Sequence, residues 1–310
     1  MKAPPHVIRI ALGAVASLLL FYVYLKTTLT LDIDGRSIGA RSFGEDDGVT
    51  IRVNTFRRLD LLELFLDYYL GSDKEGGRKK ECSLVKQVQV VWSDPANQPP
   101  TSWVEEYGER LVFEVHDEDT LSNRFLPKTA IETDAVFSVD DDLIIPCATL
   151  AENLRTWRSF DETLVGFSPR MYAYDVYSGA VKYLKWQHTW WSGMYAIMLT
   201  KASFLHRDYL DEFRENVPAE FLEHIKTNRN CEDIAMAHIV ASKSRSAPMW
   251  VGGEIYEVGE QGISSGSSHF NDRGTCLQML QSMTATFPWV TGYSKMMPLS
   301  RLQDLWYLGA

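Results

Sequence analysis

Val136–Pro146 reads VFSVDDDLIIP, a short apolar strand that runs into three consecutive carboxylates, Asp140, Asp141 and Asp142. Three anions packed where a buried strand emerges repel one another unless a cation, a donor or water relieves the field, and hard divalent cations favour oxygen ligands. Side chains alternate along a strand, so if the extended conformation continues through the triplet, Asp140 and Asp142 face one side and Asp141 the other. In an open α/β sheet the ligand crevice lies outside the carboxyl ends of the strands, which is where the triplet falls. A metal held there is placed to bridge a diphosphate. The plain alternative is a solvated acidic turn after a core strand, since turns favour Asp.

The sequence around the triplet supplies the sheet. TIRVNTF, from Thr50, reads as a strand, Leu59–Leu70 as an amphipathic helix and Leu84–Trp92 (LVKQVQVVW) as a second strand. Leu111–Val115 and Ala135–Val139 are the third and fourth strand candidates, and this alternation favours a largely parallel sheet. After the triplet, Ala148–Arg158 has helical character, and Thr163–Phe167 and Met194–Thr200 are further strand candidates. Asn230 is the expected N-cap of a helix beginning CEDIAMAHIVA, with Glu232 and Asp233 in the first turn, where the helix dipole favours acidic groups. Gly71–Lys80 (GSDKEGGRKK) and Gly259–Ser268 read as loops. MYAYDVYSG and VKYLKWQHTWWSG are dense in Tyr and Trp, which suits either core packing or stacking on sugars. His188, His224, His238 and His269 show no metal-ligand spacing with Cys and read as structural or surface residues.

At 310 residues and 45% hydrophobic content the chain can bury a sizeable core. A net charge of -10 excludes the basic footprint of a nucleic-acid partner. It does not exclude an anionic nucleotide sugar, because a divalent cation and a few arginines invert the field locally. Val7–Leu25 is apolar apart from Arg9 and approaches the length of a membrane span. Lys2 and Arg9 precede its centre, whereas Asp32 and Asp34 follow it, so the positive-inside rule places the N-terminus in the cytosol. The expected organisation is a cytosolic tail (1–6), a signal anchor (7–25), a short stem (26–48) and a lumenal domain (49–310), with a cleaved signal peptide as the rival reading of the apolar run. The four cysteines, Cys82, Cys147, Cys231 and Cys276, suit a compartment permissive for disulfides.

The segments NTFRRLDLL, VVWSD, TLSNRF, VFSVDDD, VGFSPR, NRNCEDIAM and MPL occur in this order between Val49 and Leu299. Together they resemble glycosyltransferase family 64, the family of the exostosin C-terminal domains and exostosin-like proteins. The run EIYEVGEQGISS is closer to plant-lineage members, some of which glycosylate inositol phosphorylceramides, than to animal members that build heparan sulfate. The resemblance implies a GT-A-like mixed α/β domain and a Golgi enzyme of single-pass type II topology. It also implies metal-dependent, retaining transfer from a nucleotide-sugar donor to a glycan or glycolipid acceptor. N-acetylhexosamine from a UDP donor leads, with GDP-mannose as the alternative. A noncatalytic lumenal partner of another transferase and a nucleotide-sugar hydrolase are the rival classes, and the oligomeric state is left open.

The resemblance also carries roles to matching positions. Asp233 is the catalytic candidate, and Glu232 stands beside it where animal members have Asp. Asp140 and Asp141 approach the nucleoside side, while Asp142, with Asp140, ligates a divalent metal, manganese by family expectation and magnesium by chemistry equally suited. Arg58 matches a phosphate-pairing arginine, and Arg124 either faces the diphosphate or braces the triplet. Asn54, Ser93, Asp119 and Asn123 are donor contacts, the first three departing from the family's commoner residue. Arg273 closes over the donor from the C-terminal side, and the resemblance pairs Cys231 with Cys276. Cys82 and Cys147 either pair or remain buried thiols.

Overall fold

Val49, Ile51 and Val53 alternate with Thr50 and Arg52 along the first strand, and every one of these side chains is buried. Burial on both faces is the condition of a central strand in a sheet with two covered sides. A computed structural model describes residues 48–71, 81–259, 267–284 and 288–297, together with Ser17. The expected tail, the anchor apart from Ser17, the stem before Gly48, the loop beyond Gly71 and most of the Gly259–Ser268 loop lie outside these residues. Among the described residues no helix is long and apolar enough to cross a membrane.

The first half of the chain runs β1 (Val49–Thr55), α1 (Leu59–Leu70), β2 (Val85–Trp92), α2 (Thr101–Tyr107), β3 (Leu111–Val115) and β4 (Ala135–Asp140). A tight turn over Leu121–Phe125 lies between β3 and β4. Past the triplet come β5 (Leu143–Ile144), α3 (Cys147–Trp157), β6 (Val165–Gly166), the hairpin β7 (Pro169–Tyr174) and β8 (Val181–Leu184), α4 (Trp186–Ser192), β9 (Ile197–Met198) and β10 (Ala202–His206). The chain continues with α5 (Asp208–Asn216), α6 (Ala219–Asn228), α7 (Glu232–Ser244), β11 (Met249–Val251), β12 (Tyr256–Glu257), α8 (Ser267–Met283) and β13 (Lys295–Met296).

Among the described residues eight strands form the main sheet, in the order β13-β11-β6-β10-β4-β1-β2-β3. All neighbours are parallel except that β10 runs antiparallel to both β4 and β6. The sheet is therefore largely parallel, with one reversed strand beside the strand that ends in the triplet. Two apolar cores cover its faces. Ala135, Phe137 and Val139 of β4 pack with α1 and α3. Val136 of the same strand packs with α5, α6, α7 and α8. Two of the expected strands shrink to short pairings: Thr163–Phe167 contributes only β6, and Met194–Thr200 only β9, which joins the hairpin in a three-stranded sheet.

Two disulfides staple the fold. Cys82–Cys147 (Cα–Cα 5.8 Å) ties the entry of β2 to the start of α3. Cys231–Cys276 (Cα–Cα 6.4 Å) ties the start of α7 to α8. The N-cap of α7 is Cys231 rather than Asn230. Asn230 is engaged elsewhere: its Oδ1 accepts the Cys231 N–H (2.9 Å) and its Nδ2 donates to Asp272 Oδ2 (3.0 Å). The chain enters α7 through two left-handed residues, Arg229 (φ 50°) and Cys231 (φ 78°), which turn the first helical residues inward.

Candidate active site

Strand β4 stops at Asp140, so the alternation that would set Asp140 and Asp142 on one face is cut short. The triplet divides differently. Asp141 is fully buried, accepts a hydrogen bond from Thr55 Oγ1 (2.6 Å) and is ion-paired with Arg58 Nη2. Arg58 Nη1 donates to Asp142 Oδ2 (2.9 Å), so one guanidinium bridges Asp141 and Asp142. Asp140 is paired instead with Arg124 Nη2. Burial pushes the Asp141 carboxyl up to about 6, against the opposing pull of Thr55 and Arg58. Arg58 thus contacts the triplet, and Arg124, buried and also donating to Thr200 O (3.4 Å), takes the bracing position.

A ceiling closes over the triplet from β12, which pairs antiparallel with β5. Val258 N donates to Asp142 O (2.8 Å), and a Cβ added at Gly259 would lie 2.7 Å from the Asp142 Cβ. Only a residue without a side chain brings the backbone this near to Asp142.

The acidic start of α7 forms the opposite wall. Glu232 and Asp233 are both buried, although nothing in their helix position requires it. Arg273, also buried, donates from Nη2 to Asp233 Oδ2 (2.9 Å) and from Nη1 to Tyr183 Oη (3.0 Å), with its guanidinium over the Tyr183 ring. Burial, and then the Asp233 charge, push the Glu232 carboxyl up to about 7. Arg124 lies within electrostatic range of Asp140, Glu232 and Asp233 at once. Arg124 therefore pairs with the triplet while lying in the field of the acidic helix, and Arg273 joins that helix to α8.

The remaining sequence candidates line up behind this wall. Asn123 Nδ2 donates to Ser93 Oγ (3.0 Å) and to Glu118 O (2.8 Å). Asp119 is ion-paired with Arg229, whose guanidinium lies over Phe56. The Arg57 guanidinium also lies over Phe56 and pairs with Asp94 (2.7 Å). Asn54 pairs in register with Asp140, and among the described residues its buried Oδ1 has no hydrogen-bond partner.

Several contributors were not singled out from the sequence. Arg52 is fully buried on β1 and pairs with Glu114 of β3 (2.8 Å). Its Nε and Nη2 also donate to the carbonyls of Arg124 (2.9 Å) and Asn123 (3.4 Å), so it fixes the turn that carries both candidates. The signal available was a pair of opposite charges at interior positions of two strands of one sheet, VTIRVNT and LVFEV, which β2 separates. Thr55, Tyr183 and Arg229 were hidden by commoner roles for their residue types.

The donor set at the triplet suits a hard cation. Asp140, Asp142 and the orphaned Asn54 Oδ1 are all oxygen donors, and a buried oxygen left without a donor is relieved by a metal ion or water. A second group of ligating atoms, from His224, Cys231, Asp272 and Cys276, comes within 4.8 Å in space, a clustering that sequence spacing did not reveal. Both sulfurs there belong to the disulfide, and His224 Nε2 faces Asp272 Oδ1 at 3.1 Å. The oxidised group offers no thiolate and is a structural cluster.

Residues 75–300 match the glycosyl transferase family 64 domain. Among curated relatives, the chain is 34% identical over 293 residues to glycosylinositol phosphorylceramide mannosyl transferase 1 of Arabidopsis thaliana, covering 87% of this chain and 81% of that protein. Glycosyltransferase family protein 64 C3 of Arabidopsis thaliana is 27% identical, covering 80% of this chain and 79% of that protein. Exostosin-2 of Homo sapiens is 29% identical over 212 residues, covering 66% of this chain but 29% of that protein.

Proposed function

Because the chain belongs to glycosyltransferase family 64, we propose that it moves a mannosyl group, with retention, from GDP-mannose to a glycosylinositol phosphorylceramide. Enzymatic glycosyl transfer follows from the family; the sugar, the acceptor and the residue roles are our reading. The observation that carries the site assignment is the pair of contacts that buried guanidinium groups make with carboxylates, Arg124 with Asp140 and Arg273 with Asp233. The choice of sugar rests on the mannosyl transferase relative, which this chain matches over most of both lengths. It promotes the alternative that the sequence ranked behind a UDP-linked N-acetylhexosamine.

In this reading Asp233, oriented by Arg273, faces the positive charge that develops at the anomeric carbon. Glu232 is drawn toward its protonated form beside it, because burial and then the Asp233 charge disfavour its anion. Arg58 keeps further N–H groups beyond those spent on Asp141 and Asp142, and these face the donor diphosphate. Arg273 spans from α8 to Asp233 and closes the pocket. Asn54, Ser93, Asp119 and Asn123 shape the nucleoside end. A divalent ion, manganese by family expectation, would be held by Asp142 and Asp140 with Asn54 nearby, and supplies charge neutralisation of the diphosphate when bound. The apolar run 7–25 is proposed as a type II anchor followed by the stem 26–48, which places domain 49–310 in the Golgi lumen.

The test is a donor screen on the full chain in detergent with manganese and a sphingolipid extract, read by mass of the lipid product. A mannosylated lipid formed only with GDP-mannose is expected. An N-acetylhexosamine product from a UDP donor would overturn the sugar assignment. Free sugar released equally without lipid would overturn transfer in favour of hydrolysis.

A further inference from the structure

The β7–β8 hairpin and α4 expose more aromatic surface than a globular domain needs. Trp186, Trp190 and Trp191 of α4 are 53, 61 and 55% exposed, and at the hairpin tip Val176 and Tyr177 are 74 and 98% exposed. Scattered apolar residues on a surface are ordinary, but a cluster on two neighbouring elements marks a binding face. α4 packs against β7, so the two groups belong to one region.

We propose that this face docks on a bilayer surface made anionic by phosphorylated sphingolipid headgroups, next to the acceptor site, an inference that rests on the lipid-acceptor reading above. Three observations favour a bilayer. First, the residues are of the kind that sits at headgroup depth: Trp and Tyr present an apolar body and a polar edge, and are enriched where membrane meets water. Second, the charge is complementary. Residues 169–193 contain Arg170, Lys182 and Lys185 against the single carboxylate Asp175, and no Glu, in a chain of net charge -10. Asp175 is turned inward on its own loop, accepting from Ser178 Oγ (2.7 Å) and Tyr177 N (3.0 Å). The exposed Lys182 and Lys185 are long enough to meet phosphate while the rings lie deeper. Third, the same hairpin meets the candidate active site on its other side: Tyr183 of β8, buried next to the exposed Lys182, holds Arg273, and Arg273 holds Asp233. A lipid whose headgroup must reach Asp233 while its chains stay in the bilayer requires the bilayer at this side of the pocket. The proposed stem agrees, since residues 26–48 extend at most about 80 Å and keep the domain within a molecular length of the membrane.

The experiment uses the full chain reconstituted in nanodiscs of phosphatidylcholine with one-third phosphatidylserine, made with or without lipids brominated on the acyl chains. Emission is recorded for the natural protein and for a variant carrying Trp186→Phe, Trp190→Phe and Trp191→Phe, and the difference isolates these three rings. Their emission is expected to fall at least twofold with brominated lipid. A difference spectrum that brominated lipid leaves unchanged overturns the proposal, as does one altered only by a soluble glycan headgroup. In parallel, Trp190→Ser with Trp191→Ser is expected to raise KM for the bilayer-embedded acceptor at least fivefold and to leave KM for the nucleotide donor unchanged; an unchanged acceptor KM counts against docking. Quenching requires no turnover, so it stands or falls separately from the identity of the sugar and the acceptor.

Discussion

Replacing Arg52 by Met tests whether the triplet's geometry is set from inside the sheet. The guanidinium is fully buried, pairs with the equally buried Glu114 and donates to Gln89 Oε1 (2.5 Å) and to the carbonyls of Asn123 and Arg124. Met fills much of the same volume, so the loss is electrostatic: Glu114 is left buried without its cation. Breaking such a pair from one side costs about 3–5 kcal/mol. That lowers the folded-to-unfolded ratio by roughly two to nearly four decades, and for a domain of this size corresponds to a fall in Tm on the order of 6–20 °C. Adding Glu114→Gln removes the stranded charge while its amide oxygen still serves the Lys128 and Thr129 N–H groups, which Glu114 Oε1 accepts at 3.1 and 2.8 Å. The double variant should therefore recover more than half of the lost stability. It does not recover the hold on the Leu121–Phe125 turn, so its donor KM should remain about tenfold raised, the worth of one hydrogen bond to a charged group. Guanidinium unfolding followed by intrinsic fluorescence gives the first quantity, and initial rates against donor concentration give the second. A single variant destabilised by less than about 1 kcal/mol, or a double variant with ordinary donor KM, would refute the reasoning.

Three further outcomes follow from the site. Asp142→Ala should weaken metal-dependent donor binding by at least tenfold, measured by calorimetry with and without manganese; equal metal dependence would remove Asp142 from the ligand set. Asp233→Asn should stay folded but less stable, since buried Arg273 loses its charged partner, keep most donor affinity and lose at least a hundredfold in kcat, so near-normal turnover would reject its role. Folded Glu232 binds its proton more tightly than the unfolded carboxyl does, so its contribution to stability is full below the unfolded carboxylate range and is lost as pH rises through about 7. Glu232→Gln should accordingly gain stability relative to the natural protein between about pH 5 and about pH 8 in parallel denaturant titrations, whereas parallel pH curves would count against the burial argument.

The first half of the fold was legible because its strands are rich in Val and Ile, with apolar residues alternating along β1, while Leu59–Leu70 keeps the helical period. The helix at Glu232 was legible from its acidic first turn. Strand β10 was not: ASFLH carries no direction, and its antiparallel course is decided by pairing with β4 and β6, far away in the chain. The β7–β8 hairpin had a turn signal in Asp175 and Gly179, but the aromatic density around it suggested core or sugar contact rather than a hairpin. In the site, the residue types were visible and their partners were not. Arg58 was expected at phosphate, and Arg124 either at phosphate or as a brace of the triplet; in the structure both are paired with triplet carboxylates, since three neighbouring anions draw in the cations nearest to them.

Strand β10 also has a consequence for how the nascent chain meets its surroundings. Once residues through Asp140 have been synthesised, β4 can pair with β1, but its other edge stays open until residues 202–206 arrive. At about 5–20 residues per second, the intervening stretch of some 60 residues takes roughly 3–13 s to appear. Through that interval the growing chain presents Ala135–Val139, a flat apolar edge with unmatched N–H and C=O groups, to every other strand in the compartment. Chaperone engagement and aggregation of truncated chains should both peak between these two lengths and fall once β10 has closed the edge.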